Sequence, residues 1–97
     1  MKEISAATLK QRMENEDLTL LDVRQPEEWE EFHIEGSIHI PLPDLELRVD
    51  ELEQLKEKEL IVLCLSGARS GQACMFLELS GFENPVNLKG GLMAFQA

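Results

Sequence analysis

Cysteine, histidine and positive charge are all scarce in this chain. Two cysteines, Cys64 and Cys74, and two histidines, His33 and His39, occur among 97 residues. Two cysteines are too few for a disulfide framework or a cysteine-based zinc site. The order of a histidine pair followed by a cysteine pair, with five and nine residues between partners, follows no common zinc spacing. No metal is expected. Lysine and arginine together number 9 against 19 acidic residues, a formal net charge of −10. Such a field repels phosphate backbones and anionic headgroups, so neither nucleic acid nor a membrane is an expected partner. No apolar run approaches the roughly 20 residues that span a bilayer. Met1-Lys2-Glu3-Ile4-Ser5 lacks the apolar stretch of a signal peptide, which points to a cytoplasmic location. At about 100–200 residues per domain, residues 1–97 form one domain with one modest core.

What is present is an alternation of strand and helix signals, the mark of an α/β domain with a mainly parallel sheet. Glu3-Ile4 is a short first strand. Ser5 caps a helix running to about Asn15, with Leu9 and Met13 on one face. Leu18 to Val23 is a short apolar run ending in polar residues, as a buried strand does. Pro26 opens a helix over Glu27 to Phe32, with carboxylates in the first turn. Gly36 to Pro43 is a loop carrying a short strand near Ser37–Ile40. Asp44 to about Lys56 places Leu45, Val49, Leu52 and Leu55 at helical spacing, with a charged, solvated opposite face. Leu60-Ile-Val-Leu-Cys64 is the strongest strand. A helix over Arg69 to Ser80 turns Ala73, Phe76 and Leu77 inward and stops at Gly81. Pro85-Val-Asn-Leu88 is the last strand, ended by Gly90-Gly91, and Leu92 to Phe95 begins a final helix.

Cys64 stands where the strongest strand gives way to a Gly-containing loop and then a helix. Ligand sites of open α/β sheets lie beyond the carboxyl ends of the strands. Loop amides and a helix N-terminus there favour an anion, and the same field favours thiolate over thiol. Arg69 adds a positive charge nearby. By position alone, Cys64 reads equally as a nucleophilic thiolate in an anion cradle or as a small buried hydrophobe.

Cys64-Leu-Ser-Gly-Ala-Arg-Ser70 resembles the active-site loop of the rhodanese family, written Cys-x-x-Gly-x-Arg-Ser. Leu20-Leu-Asp-Val-Arg24 resembles the family's second strand. Glu28-Trp-Glu-Glu-Phe-His-Ile-Glu-Gly36 resembles the segment that follows it, Ile38-His-Ile-Pro41 the Asn-Ile-Pro element, and Leu88-Lys-Gly-Gly91 the late Gly-Gly. The five elements occur in the family's order from about Ile4 to Phe95. The resemblance implies a three-layer α/β/α rhodanese-like domain with a five-stranded, mainly parallel sheet. It also implies sulfur transfer without a cofactor. Cys64 takes the outer sulfur of a small sulfur-containing anion such as thiosulfate, or of a protein persulfide, becomes a persulfide, and passes the sulfur to a thiol or cyanide-like acceptor. The amides of Leu65, Ser66, Gly67, Ala68, Arg69 and Ser70 form the cradle, and Arg69 binds the donor's anionic end or holds the loop. The chain departs from the family in three places. Leu65 stands where many thiosulfate-using members carry Arg or Lys, Phe32 replaces the glycine before the histidine, and Phe95 replaces the tryptophan of the last helix.

Other residues are read as support. Asp22 accepts backbone hydrogen bonds at its strand end, Arg24 pairs with a nearby acid, and His33 organises its loop. His39 is an ordinary strand or surface residue, Cys74 a core residue, and Trp29 packs its helix on the sheet. The acidic runs over residues 27–35 and 44–59 are solvated faces. Two other functions compete. A rhodanese-like binding or regulatory module needs no reactive cysteine. A phosphatase or arsenate reductase of related fold needs five residues between Cys and Arg, whereas four separate Cys64 from Arg69.

Overall fold

The computed structural model describes residues 1–97. Its strands and helices alternate: β1 (Lys2–Ile4), α1 (Ala6–Met13), β2 (Leu20–Asp22), α2 (Pro26–Glu31), β3 (Ile38–His39), α3 (Leu42–Arg48), β4 (Glu59–Leu63), α4 (Ala68–Leu79), β5 (Asn84–Leu88) and α5 (Gly91–Gln96). All four strand pairings are parallel, in the order β1-β5-β4-β2-β3. The expected five-stranded α/β/α architecture is thus observed, with a wholly parallel sheet. No helix is long and apolar enough to cross a membrane.

Side chains of a strand alternate between its two faces, and here that alternation divides the core. Leu60, Val62 and Cys64 of the β4 run join Leu21, Val23, Leu45, Leu52, Ala73, Cys74 and Leu77 on the α3–α4 side. Ile61 and Leu63 join Leu9, Leu20, Val86, Leu88 and Leu92 on the α1–α5 side. The Cys64 side chain is therefore directed toward α4 by the same pleat that buries Val62. Asn87, between Val86 and Leu88, is directed to that side as well.

Ser5 caps α1 as its sequence position predicts, its Oγ accepting from the Thr8 amide at 3.0 Å. The helix closes at Met13, short of Asn15. A larger difference lies after α3. A single helix is expected over residues 44–56, but α3 stops at Arg48 and a 3-10 helix takes over from Val49 to Leu55. The apolar spacing explains the switch. Leu45 and Val49 are four apart, whereas Val49, Leu52 and Leu55 are three apart, the period at which 3-10 side chains align. The tighter winding keeps all three against the core, where an α-helix would carry Leu55 off the face.

Candidate active site

The strand order places the crevice for a ligand. From β2 the chain crosses outward to β3, and from β4 it crosses the other way to β5. Between the carboxyl ends of β2 and β4 the connections diverge, which makes this the sheet's switch point, where open α/β sheets bind ligands. Cys64 follows the last residue of β4 at this point, and beside it Asp22 ends β2 and is followed by Val23 and Arg24. The two ends are tied by the Val23 amide donating to the Leu63 carbonyl at 3.0 Å.

Gly67 shapes the loop after Cys64. Its φ of +105° lies in the left-handed region, which glycine enters without penalty. That turn aims the Gly67 amide back at Cys64 Sγ, 3.0 Å away. The Ser70 amide reaches the same sulfur at 3.4 Å and the Ser70 hydroxyl lies at 3.3 Å. Cys64 itself has no exposed surface, while Leu65, Ser66 and Ala68 are exposed. Burial pushes the thiol pKa up, but the Ser70 hydroxyl and the amides of Ser70, Gly67 and Ser66 outweigh it. The net effect holds Cys64 below the ordinary thiol value. Cys74 has no such donors, and burial pushes it up to about 12.

Two elements distant in sequence hold the loop. Asn87 of β5 is buried, donates from Nδ2 to the Gly67 carbonyl at 3.1 Å, and accepts the Ser70 hydroxyl proton at Oδ1. From below, the first amides of α5 bind the loop's carbonyls: Leu92 donates to Cys64 at 2.9 Å and Met93 to Leu65 at 3.0 Å. Such close approach requires Gly91, because a Cβ there would sit 2.2 Å from the Leu65 carbonyl oxygen. Strand β5 stops at Leu88, just ahead of the Gly90-Gly91 pair that the sequence places at its end, and Gly91, the first residue of α5, also seats the cysteine loop.

Arg69, in the first turn of α4, points across the crevice to α2. Its two terminal nitrogens bind the two carboxylate oxygens of Glu28 at 2.7 and 2.9 Å. The paired guanidinium holds Glu28 down to about 2, against the opposing effect of partial burial. On the β2 side, buried Asp22 accepts the Arg24 amide at 3.0 Å and both Nε and a terminal nitrogen of its guanidinium. Arg24 continues to the carbonyls of Glu28 and Phe32, so this ion pair fastens α2 to the end of β2. His33 makes no hydrogen bond to the sulfur. Its Nδ1 donates to the Trp29 carbonyl at 2.8 Å and its ring stacks on Trp29 at 3.7 Å. His39 is more than a surface residue: half-buried, it stacks on the other face of Trp29 and donates from Nε2 to the Arg24 carbonyl. Trp29 therefore packs on the edge strand β3 through His39.

The structure thus gathers Cys64, the loop 65–70 and the Asp22–Arg24 pair at the carboxyl ends of β2 and β4, while the His33 side chain bonds to Trp29 and to none of them. Sequence reasoning missed Glu28 and Asn87. Glu28 was hidden within an acidic run read as solvated. A signal for Asn87 existed, since a polar residue inside an apolar strand needs a partner.

These features define a class: a parallel α/β domain that presents one cysteine to a ring of backbone amides at its switch point. A family model described as the Rhodanese-like domain matches residues 5–97. The protein YtwF of Bacillus subtilis (strain 168) is 41% identical over 97 residues, covering 99% of this chain and 91% of that one. A protein of Allochromatium vinosum named Sulfurtransferase is 34% identical over 96 residues, covering 98% of this chain and 88% of its own. The crystal structure of a rhodanese-like domain protein from Staphylococcus aureus superposes with a TM-score of 0.87 at 30% identity, covering 98% of this chain and 91% of that one. The chain belongs to the rhodanese-like domain family, among whose members sulfur transfer is a named activity.

Proposed function

We propose that residues 1–97 work as one sulfurtransferase domain, with Cys64 as the carrier of a persulfide. The convergence of the Gly67 amide, the Ser70 amide and the Ser70 hydroxyl on Cys64 Sγ carries this reading. Those donors favour the thiolate, the form of cysteine that attacks sulfur. In the first half-reaction the Cys64 thiolate attacks the outer sulfur of the donor. A sulfur–sulfur bond forms to Cys64 as the donor's own bond to that sulfur breaks, and its remaining fragment leaves with the electron pair. The terminal sulfur of the Cys64 persulfide then takes the thiolate's place as the acceptor of the loop's hydrogen bonds. In the second half-reaction a thiol or cyanide attacks that terminal sulfur, and Cys64 departs as thiolate. No net oxidation occurs, so no cofactor is called for. Cys64 has no surface of its own, so sulfur reaches it past the loop, whose exposed residues are Leu65, Ser66 and Ala68.

Intact-protein mass after incubation with inorganic polysulfide tests the reading. The expected result is a gain of one sulfur atom, reversed by cyanide or dithiothreitol and absent in Cys64→Ser. Cys74→Ser should retain most of the transfer activity, since a thiol pushed up to about 12 stays protonated at neutral pH. No gain from polysulfide, or equal losses from both substitutions, would overturn the one-cysteine mechanism.

A further inference from the structure

The loop that surrounds Cys64 contains one charged side chain, Arg69, and that charge is already taken. Both of its terminal nitrogens sit on the Glu28 carboxylate. The residue directly after the cysteine, Leu65, is uncharged and 40% exposed. The other exposed loop residues, Ser66 and Ala68, are uncharged as well, so the exposed part of the loop around Cys64 carries no charge. Arg24, the cation across the crevice, is buried and bound to Asp22. The remaining arginines, Arg12 and Arg48, are paired elsewhere with Glu16, Glu59 and Glu51. Lys89, beyond the end of β5, is solvated and makes no ion pair, so water screens it.

An inorganic donor such as thiosulfate carries two negative charges into the site and releases a dianion, which needs a free cation. A hydropersulfide, R–S–S–H, has different requirements. The S–S–H group of its electrophilic form is uncharged. The Cys64 thiolate attacks its outer sulfur, the donor's sulfur–sulfur bond breaks, and R–S⁻ leaves with the electron pair; the proton stays on the transferred sulfur. Charge is conserved, one thiolate replacing another, and no side-chain cation is required.

We propose that Glu28 determines the donor class of this site. By holding Arg69 it withdraws the loop's cation, so that Cys64 draws sulfur from thiol hydropersulfides and discriminates against inorganic dianions. The inference rests on the sulfurtransferase reading and adds to it a specificity-determining residue outside the cysteine loop. Glu28→Gln is a suitable probe, because the amide oxygen can still accept the Gln25 amide that the carboxylate accepts at 2.9 Å. The helix cap survives while the charge that binds Arg69 is lost.

The readout is the ratio of kcat/KM for thiosulfate to that for cysteine hydropersulfide, with cyanide as acceptor. The natural protein should favour the hydropersulfide. In Glu28→Gln the ratio should rise by about tenfold, the scale of one charge-assisted hydrogen bond regained by the anion, mainly through a lower KM for thiosulfate. A purely structural role for Glu28 would reduce both rates together and leave the ratio unmoved, which would overturn the inference. A second variant, Leu65→Arg, supplies a cation that Glu28 does not hold. A rise in the ratio for Leu65→Arg without one for Glu28→Gln would also overturn it, because Arg69 would then be of no use to the anion even when released. Serum albumin carrying a cysteine persulfide, compared with cysteine hydropersulfide, distinguishes a protein-bound from a free donor; faster uptake from either than from thiosulfate fits. Failure of every donor, inorganic polysulfide included, to load Cys64 would instead defeat the sulfurtransferase reading itself.

Discussion

Ser70 has one hydroxyl proton and two neighbours that can take it. Cys64 Sγ lies 3.3 Å from its oxygen, and Asn87 Oδ1 accepts from it on the other side. Asn87 cannot turn away, because its Nδ2 is engaged by the Gly67 carbonyl. While Cys64 is a thiol, Ser70 can serve Asn87; once the sulfur is ionised, the stronger acceptor draws the proton. The hydroxyl is thus a donor that becomes most valuable when negative charge is on the sulfur. Ser70→Ala removes it and keeps the backbone amide. The thiolate titration of Cys64, followed by ultraviolet absorbance, should then move upward toward the ordinary thiol range. An inflection that stayed in place or fell would show that the amides of Ser70, Gly67 and Ser66 suffice without the hydroxyl.

Helix α5 has only six residues, yet its start decides whether the loop can form. Leu92 and Met93 donate their amides to the carbonyls of Cys64 and Leu65, and Gly91 permits the approach. An alanine at 91 would meet the Leu65 carbonyl and carry a side chain at a φ of +62°. The left-handed backbone costs about 1–2 kcal/mol and overpacking about 1–3 kcal/mol more. Gly91→Ala should therefore lower stability by about 2–5 kcal/mol in urea unfolding. It should also displace the Cys64 loop, seen as loss of the lowered thiol titration. A mild loss of stability with the titration intact would mean that α5 shifts freely and does not seat the loop. The break between α3 and the 3-10 helix that follows it belongs to the same scale. A change of apolar spacing from four to three is visible in the sequence, though periodicity summed over the whole segment averages it away.

For the whole molecule, the excess of acid means that every arginine finds a carboxylate. Acidification consequently has two opposing effects. Protonating unpaired carboxylates relieves repulsion, while protonating paired ones removes an attraction. Glu28 allows the second effect to be isolated. Arg69 holds it down to about 2 in the folded chain, against an ordinary value of 4.5. A depressed folded pKa contributes stability that is fully present above about 4.5 and lost as the pH falls toward 2. The pair is partly exposed, so its contribution is about 1 kcal/mol or less. Urea unfolding of the natural chain and Glu28→Gln should show a constant stability difference from neutrality to about pH 4.5, shrinking below it. A difference that grew on acidification would contradict the assigned pairing.

Much of this was written along the chain. Alternating strands and helices, the Ser5 cap, the final glycines and the strand-end position of Cys64 depend on neighbours within a few residues, where periodicity and capping chemistry act. The loop motif likewise lies in seven consecutive residues, so its resemblance to a family is visible without a fold. What surrounds the sulfur is different. Arg69 meets Glu28 across 41 residues, and Asn87 reaches Gly67 across 20 and Ser70 across 17. These meetings follow from the strand order, which sets α2 and α4 on either side of one crevice, and from the β5 pleat, which turns Asn87 toward α4. Only the packed sheet turned Glu28 from one carboxylate in a solvated run into the partner of Arg69, because partner choice between distant charges is a matter of distance, and distance is created by the fold.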